Sequence, residues 1–198
     1  MNVYDFDDTI YDGDSSKDFL LFMAKKHKQA FVKRAFLMGG STFLYAIHLI
    51  DKESWKSSVF SFLKDIEDID QEIRKFWDEY EKNFKPWYLE QQRQDDLIIS
   101  ASPAFIVEEG CHRIGIEHVI ATEMDKTSGK IYGKNCKGQE KVERFRQCYG
   151  DKAEIEAFYS DSQSDAYMAD IAKQAYYIKK EQVLKWAIGK WIKDFYVG

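Results

Sequence analysis

Residues 2–9 begin as a buried strand and end as a cluster of acids. Val3, Tyr4 and Phe6 favour an extended, apolar-packed backbone, yet Asp5, Asp7 and Asp8 follow at once, where a strand that only filled a core would carry no charge. In an extended chain alternate side chains share a face, so Asp5 and Asp7 project to one side a few ångströms apart. Two such anions repel unless a proton or a cation lies between them. The plain alternative is a solvated acidic turn whose Thr9 caps the next helix.

Three further stretches decide between these readings. Leu97-Ile98-Ile99-Ser100-Ala101-Ser102-Pro103 reads as a buried strand ending in hydroxyls. Cys136-Lys137-Gly138-Gln139-Glu140-Lys141 places lysines at the start of a helix, and Ala157-Phe158-Tyr159-Ser160-Asp161-Ser162-Gln163-Ser164-Asp165 is an apolar strand delivering two acids four residues apart. Asp5-Phe6-Asp7-Asp8-Thr9 resembles the DxDxT signature of the haloacid dehalogenase-like superfamily, and the other three stretches match, in order, the pieces expected downstream of it.

The resemblance implies a role for each residue. Asp5 would attack phosphorus to give an aspartyl-phosphate, and Asp7 would protonate the leaving alcohol and then take a proton from water, for which its pKa must lie well above that of Asp5. Thr9 would hold the Asp7 region by hydrogen bonding. Ser100, ranked ahead of Ser102, would donate to the phosphoryl group, with Ala101 and Ser102 beside it at the substrate. The lysine is Lys137 or Lys141, nearly level: four residues apart on one helix, either would reach. Asp5, Asp7 through its carbonyl, Asp161 and Asp165 would hold Mg2+, Asp165 directly, through water or by orienting the lysine. The second acid, Asp7, argues against a dehalogenase. A P-type ATPase would carry a lysine after the nucleophile and long membrane inserts, and neither occurs.

The chain of 198 residues is long enough for one core domain with an insert. A net charge of −5 with no long Lys/Arg block argues against nucleic acid. Cys111, Cys136 and Cys148 form no CxxC pair, and His27, His48, His112 and His118 show no ligand spacing. With a strand starting at Met1 and no room for a secretory leader, the expectation is a cytoplasmic protein with reduced thiols. The glycines at 129, 133 and 138 give neither a P-loop nor GxGxxG.

Strands alternating with helices predict an α/β fold, a Rossmann-like and mainly parallel sheet with helices on both faces, from residues 1–13 and 87–198. Residues 14–86 read as helical, with helices over Gln29–Leu37 and Thr42–Ile50 separated by Gly39-Gly40, then Glu53–Lys64 and Ile69–Phe84. In the superfamily this position holds a helical cap. After it come a helix over Trp87–Gln94, a helix opened by Ser102-Pro103, a hairpin or flap over Lys126–Gly133, and a helix over Glu181–Ile188. Lys190–Val197 reads equally as helix or edge strand. Ala35–Ile50 contains no acid, lysine or arginine. At about 24 Å of helix it falls short of a roughly 30 Å hydrocarbon core. A buried cap hairpin is the favoured reading, and its rival is a surface that dips into a membrane interface behind Lys25, Lys26, Lys28, Lys33 and Arg34.

For substrate, the chain resembles the phosphoserine phosphatase branch, with Asp14 where that group carries an acid facing the substrate amine. Trp55-Lys56-Ser57-Ser58-Val59-Phe60 offers no arginine for the substrate carboxylate. The apolar cap and Tyr159-Ser160-Asp161-Ser162 are similar to bacterial phosphatidylglycerophosphate phosphatases, so a lipid or other small organic phosphate monoester stands beside phosphoserine. Transfer to an acceptor other than water, and a non-catalytic module of the same fold, are the remaining alternatives. Oligomeric state is not readable.

Overall fold

The computed structural model describes residues 1–186. Six strands form one sheet in the order β3-β2-β1-β4-β5-β6: β1 (Asn2–Tyr4), β2 (Leu97–Pro103), β3 (His118–Thr122), β4 (Ile155–Ser160), β5 (Ala172–Lys179) and β6 (Gln182–Lys185). All pairs are parallel except β5 with β6. Alternation along the strands separates two cores. Tyr4, Phe6 and Ile98 pack on one side, against α1 (Ser15–Lys26), α4 (Ile69–Tyr80) and α6 (Ala104–Arg113). Val3, Leu97, Ile99 and Phe158 pack on the other, against α7 (Gln139–Tyr149) and α8 (Ala166–Ile171). This is the expected α/β architecture.

Between β1 and β2 the chain is helical, adding α2 (Lys28–Ala46), α3 (Lys52–Val59), a 3-10 turn over Phe60–Asp65 and the short α5 (Pro86–Leu89). The insert is not one detached unit. Trp77 of α4 packs its ring on Phe6 and donates its indole N–H to the Ile106 carbonyl at 2.9 Å, and Phe19 of α1 packs edge-on against Phe76. By contrast α2 rests on α1, α3 and the 3-10 turn, burying only Ala30 and Ser41.

Several local expectations are corrected. Gly39-Gly40 does not break α2: a Cβ at either would meet nothing within 4 Å, so both sit on its open side, and packing of the opposite face offsets their backbone entropy. Ala35–Ile50 is therefore not a buried hairpin. The Trp87–Gln94 helix shrinks to α5, while Pro103 both ends β2 and stands at the N-cap of α6, the helix expected to open there. Gln182–Lys185, expected as helix, pairs antiparallel with β5 after a turn at Lys180, its backbone bonds outweighing local propensity while Trp186 is buried against Phe158 and Tyr177. Lys190–Val197 lies outside the described residues.

Candidate active site

The chain leaves β1 toward β2 on one side and β4 toward β5 on the other, so the sheet order reverses between β1 and β4. A crevice must open there at the carboxyl ends of the strands. Backbone pairing sets it: the Asp5 N–H donates to the Tyr159 carbonyl at 2.9 Å, carrying Asp5 and Asp161 out of neighbouring strands to a common end. A cavity of about 590 Å³ lies above, lined by Asp5, Asp7, Asp161 and Asp165 together with Asp8, Asp14, Ala101, Ser102, Lys137 and Lys141.

The loop after β1 is tight. The N–H groups of Thr9, Ile10 and Tyr11 all turn back to the Phe6 carbonyl, and Asp8 takes a left-handed φ of 53°, a conformation aspartate tolerates better than most residues. Buried Lys85 braces the loop by donating to the Asp8 carbonyl. Thr9 ties the loop to β4: its hydroxyl accepts the Asp161 N–H at 3.0 Å and lies 3.4 Å from Asp161 Oδ1. Through these bonds Thr9 holds the loop that carries Asp7 against β4.

Lys141 Nζ lies 2.7 Å from both Asp5 Oδ1 and Asp165 Oδ2, and all three side chains are nearly or wholly buried. Asp5 and Asp165 hold the ammonium well above the ordinary lysine range despite its burial. Burial pushes the Asp5 carboxyl upward, Lys141 opposing it and Asp165 and Asp7 adding to it. Asp165 Oδ2 also accepts from Ser160 Oγ at 2.9 Å, so this acid is turned to the lysine. Lys137 lines the cavity but precedes α7, separated from it by Gly138 at φ 60°, so the two lysines do not share a helix face.

Asp7 accepts the Ser15 N–H, at the first turn of α1, at 2.6 Å and a hydrogen bond from Ser102 Oγ. Burial raises its carboxyl to about 6, those bonds holding it lower than burial alone would. Ser102 is therefore the hydroxyl on the cavity wall. Ser100 does not line the cavity; it is wholly buried and its Oγ accepts the Ser102 N–H at 3.0 Å. A register irregularity where β2 meets β3 falls between Ile99 and Pro103, the stretch that carries both hydroxyls. Asp14 caps α1, accepting the Lys17 N–H at 2.9 Å, and also faces the cavity.

Several cavity residues were given no site role from the sequence. Lys56 of α3 reaches in, donating to the Ala101 carbonyl at 2.7 Å and to Asn135 Oδ1 at 3.3 Å, and burial with Lys52 nearby lowers its pKa to about 8. Lys52, Lys17 and Ser16 also line the cavity, and Ser16 Oγ is 2.8 Å from Ser102 Oγ. A lysine on a short polar helix carries no spacing signal that distinguishes it from a solvated charge. The chain after β3 turns back at an antiparallel bridge between Met124 and Ile131, the expected flap, and the insert closes on it through Ser57 Oγ, which accepts the Ile131 N–H, while Glu53 accepts the Asn135 N–H just beyond.

The donor set suits a hard cation. The cavity lining contains no cysteine or histidine, and its carboxylates stand opposite one another at the ends of β1 and β4. Burial and the nearby Asp8 and Asp165 raise Asp161. Burial raises Asp5 as well, so a cation beside it would favour its ionised form. Among the described residues no three Asp, Glu, His or Cys side chains form a complete ligand cluster. Two carboxylates and a carbonyl fit an ion that keeps waters or substrate oxygens in its shell.

Comparison with known proteins bears on the fold and the family. Protein CicA of Caulobacter vibrioides is 31% identical over 86 residues, a match spanning 41% of this chain and 39% of that protein. A Bordetella pertussis protein of unknown function superposes with a TM-score of 0.71 at 18% identity, covering 88% of this chain and 87% of that one. A phosphoserine phosphohydrolase-like protein from Francisella tularensis gives 0.55 at 15%, covering 91% and 88%. A substrate-bound phosphoserine phosphatase gives 0.53 at 15%, covering 87% and 82%. The model of the haloacid dehalogenase-like hydrolases matches residues 3–170, through β1, the insert and all four acid, hydroxyl and lysine stretches, and the chain belongs to that family.

Proposed function

We propose that the protein hydrolyses phosphate monoesters through an aspartyl-phosphate on Asp5. The observation that supports this reading is the bridge of Lys141 between Asp5 and Asp165 beside a separately held Asp7, two acids in different settings within a single cavity, as attack and proton transfer would need. Asp5 Oδ attacks phosphorus, and Asp7, its carboxyl near 6, gives its proton to the departing alkoxide and then takes one from the water that cleaves the acyl phosphate. Lys141 offsets the crowded negative charge, and Ser102 Oγ can swing from Asp7 to a phosphoryl oxygen. Asp5, the Asp7 carbonyl and Asp161 would hold Mg2+, while Asp165 keeps Lys141 in place. When bound, that ion supplies charge neutralisation for the phosphoryl oxygens and lowers the pKa of Asp5.

The substrate is a small organic or lipid phosphate monoester. Leu20, Trp55, Val59 and Phe60 give the cavity an apolar wall for its organic part. A second reading, phosphoserine, is favoured by Asp14 and Lys56, one acid and one cation facing the same cavity. Lys56 is a point charge already engaged by two oxygens, a poorer carboxylate clamp than a guanidinium fork. The test is phosphate release from an aryl phosphate and from a panel including phosphoserine, sugar phosphates and lysophosphatidate. Asp5→Asn should lower the rate about a thousandfold or more and excess chelator should abolish it. Activity that survives either treatment overturns the scheme, and product analysis with added alcohols separates hydrolysis from transfer.

A further inference from the structure

Phe19 to Ile50 contains no Asp or Glu, although the chain as a whole has 34 of them in 198 residues. The same stretch carries Lys25, Lys26, Lys28, Lys33 and Arg34, so a protein of net charge −5 concentrates five positive charges around the start of α2. Lys33 and Arg34 pair with Asp65, and Lys26 lies near Glu72. Lys25 and Lys28 are exposed and have no acidic partner among the described residues.

The rest of α2 is apolar and faces outward. Val32, Phe36, Phe43 and Ile47 recur at helical spacing on one side, 76%, 94%, 64% and 46% exposed, opposite the buried Ala30 and Ser41. Leu49, 68% exposed, extends the row, and Gly39 and Gly40 leave its middle flat. Soluble monomers rarely leave so many large apolar side chains contiguous and uncovered. No helix among the described residues is long and apolar enough to cross a membrane. A basic start followed by an apolar face suits a helix lying in the plane of an interface.

We propose that α2 docks the protein on an anionic lipid surface, Val32, Phe36, Phe43 and Ile47 entering the headgroup boundary and Lys25 and Lys28 meeting lipid phosphates. The occupant follows from charge. A second copy of this face would set Lys25 and Lys28 against another stretch without Asp or Glu, whereas an anionic bilayer provides both the apolar layer and the counter-charge. The surface also connects to the site. Trp55 of the cavity wall stacks on Tyr45 of α2 with ring centroids 5.0 Å apart and donates to Thr42 Oγ1 at 3.2 Å, so docking α2 settles that wall over the bilayer.

The test is sedimentation of the full chain with vesicles containing phosphatidylglycerol and with vesicles of phosphatidylcholine alone, a readout that does not depend on any enzymatic activity. The wild type is expected to bind the anionic vesicles and to release as salt is added. Phe36→Ser combined with Phe43→Ser should weaken binding about tenfold or more, and Lys25→Glu with Lys28→Glu should weaken it on anionic vesicles. Unchanged melting temperatures show that both variants fold. A wild type that stays in the supernatant overturns the proposal, as does equal binding by wild type and the phenylalanine variant. A wild-type dimer that the phenylalanine variant converts to monomer, without vesicle binding by either, also overturns it and assigns the face to a second copy.

Discussion

Lys141 answers two carboxylates with one ammonium, and its removal exposes how the three depend on one another. Lys141→Ala leaves Asp5 and Asp165 buried without a counter-charge, a loss of about 3–5 kcal/mol at neutral pH. The loss should shrink in acid, where the orphaned carboxyls can take up protons, and urea titrations at the two pH values check both halves. Ser102 and Ser100 are separated by a milder test. Ser102→Ala removes a hydroxyl facing the cavity and should lower kcat/KM about 10- to 100-fold, the value of one hydrogen bond to a charged group. Ser100→Ala should chiefly lower the melting temperature, because its Oγ serves the Ser102 N–H. The acids themselves were legible in the sequence, because period-two alternation in a strand delivers side chains to one face wherever the strand goes. The choice between hydroxyls was not, because Ser100 and Ser102 share one alternation and differ only in how deep each lies beneath the cavity.

Elements make the site by closing on one another. The flap is held to the 3-10 turn after α3 at Gly129, where φ is 73° and a Cβ would sit 2.2 Å from the Phe60 carbonyl oxygen. Gly129→Ala should therefore cost about 1–3 kcal/mol and raise KM as the insert is pushed off the flap, which melting and steady-state kinetics would show. At the opposite end of β2, Asp96 is wholly buried. One of its oxygens accepts the Arg93 N–H at 2.8 Å and the other has no hydrogen-bond partner among the described residues. Burial raises its pKa to about 6, above the roughly 3.9 of an unfolded chain. With the folded value the higher one, the fold favours the neutral acid, so this stability is full below about 4 and lost as pH rises through about 6. Asp96→Asn should gain on the wild type between pH 4 and 8 by on the order of 2 kcal/mol. Helix existence was legible from apolar spacing here, whereas the unbroken course of α2 and the strand at Gln182–Lys185 were not, since packing and edge pairing outweigh glycine content and local propensity.

For the whole molecule the decisive relation is between β1 and β4, whose ends carry acids more than 150 residues apart in the chain. An ion held between Asp5 and Asp161 would bind only the folded state. Mg2+ at about a hundred times its Kd should then stabilise the protein by about 2.7 kcal/mol, at roughly 2–4 °C in Tm per kcal/mol. Calorimetry should show that shift for the wild type and none for Asp161→Asn; a shift that persists in the variant places the ion elsewhere. By itself the sequence determined the order of the motifs, the α/β class and the delivery of acids to strand ends, because these rest on residue type and on periodicities that hold within a few neighbours. Only the tertiary structure decided that Lys141 sits between Asp5 and Asp165, that Ser102 faces the cavity, that Lys56 enters it from α3, and that α2 turns its apolar side outward. Those facts depend on sheet order, register and which face another element covers, and such distances are set by pairing between segments that no local pattern connects.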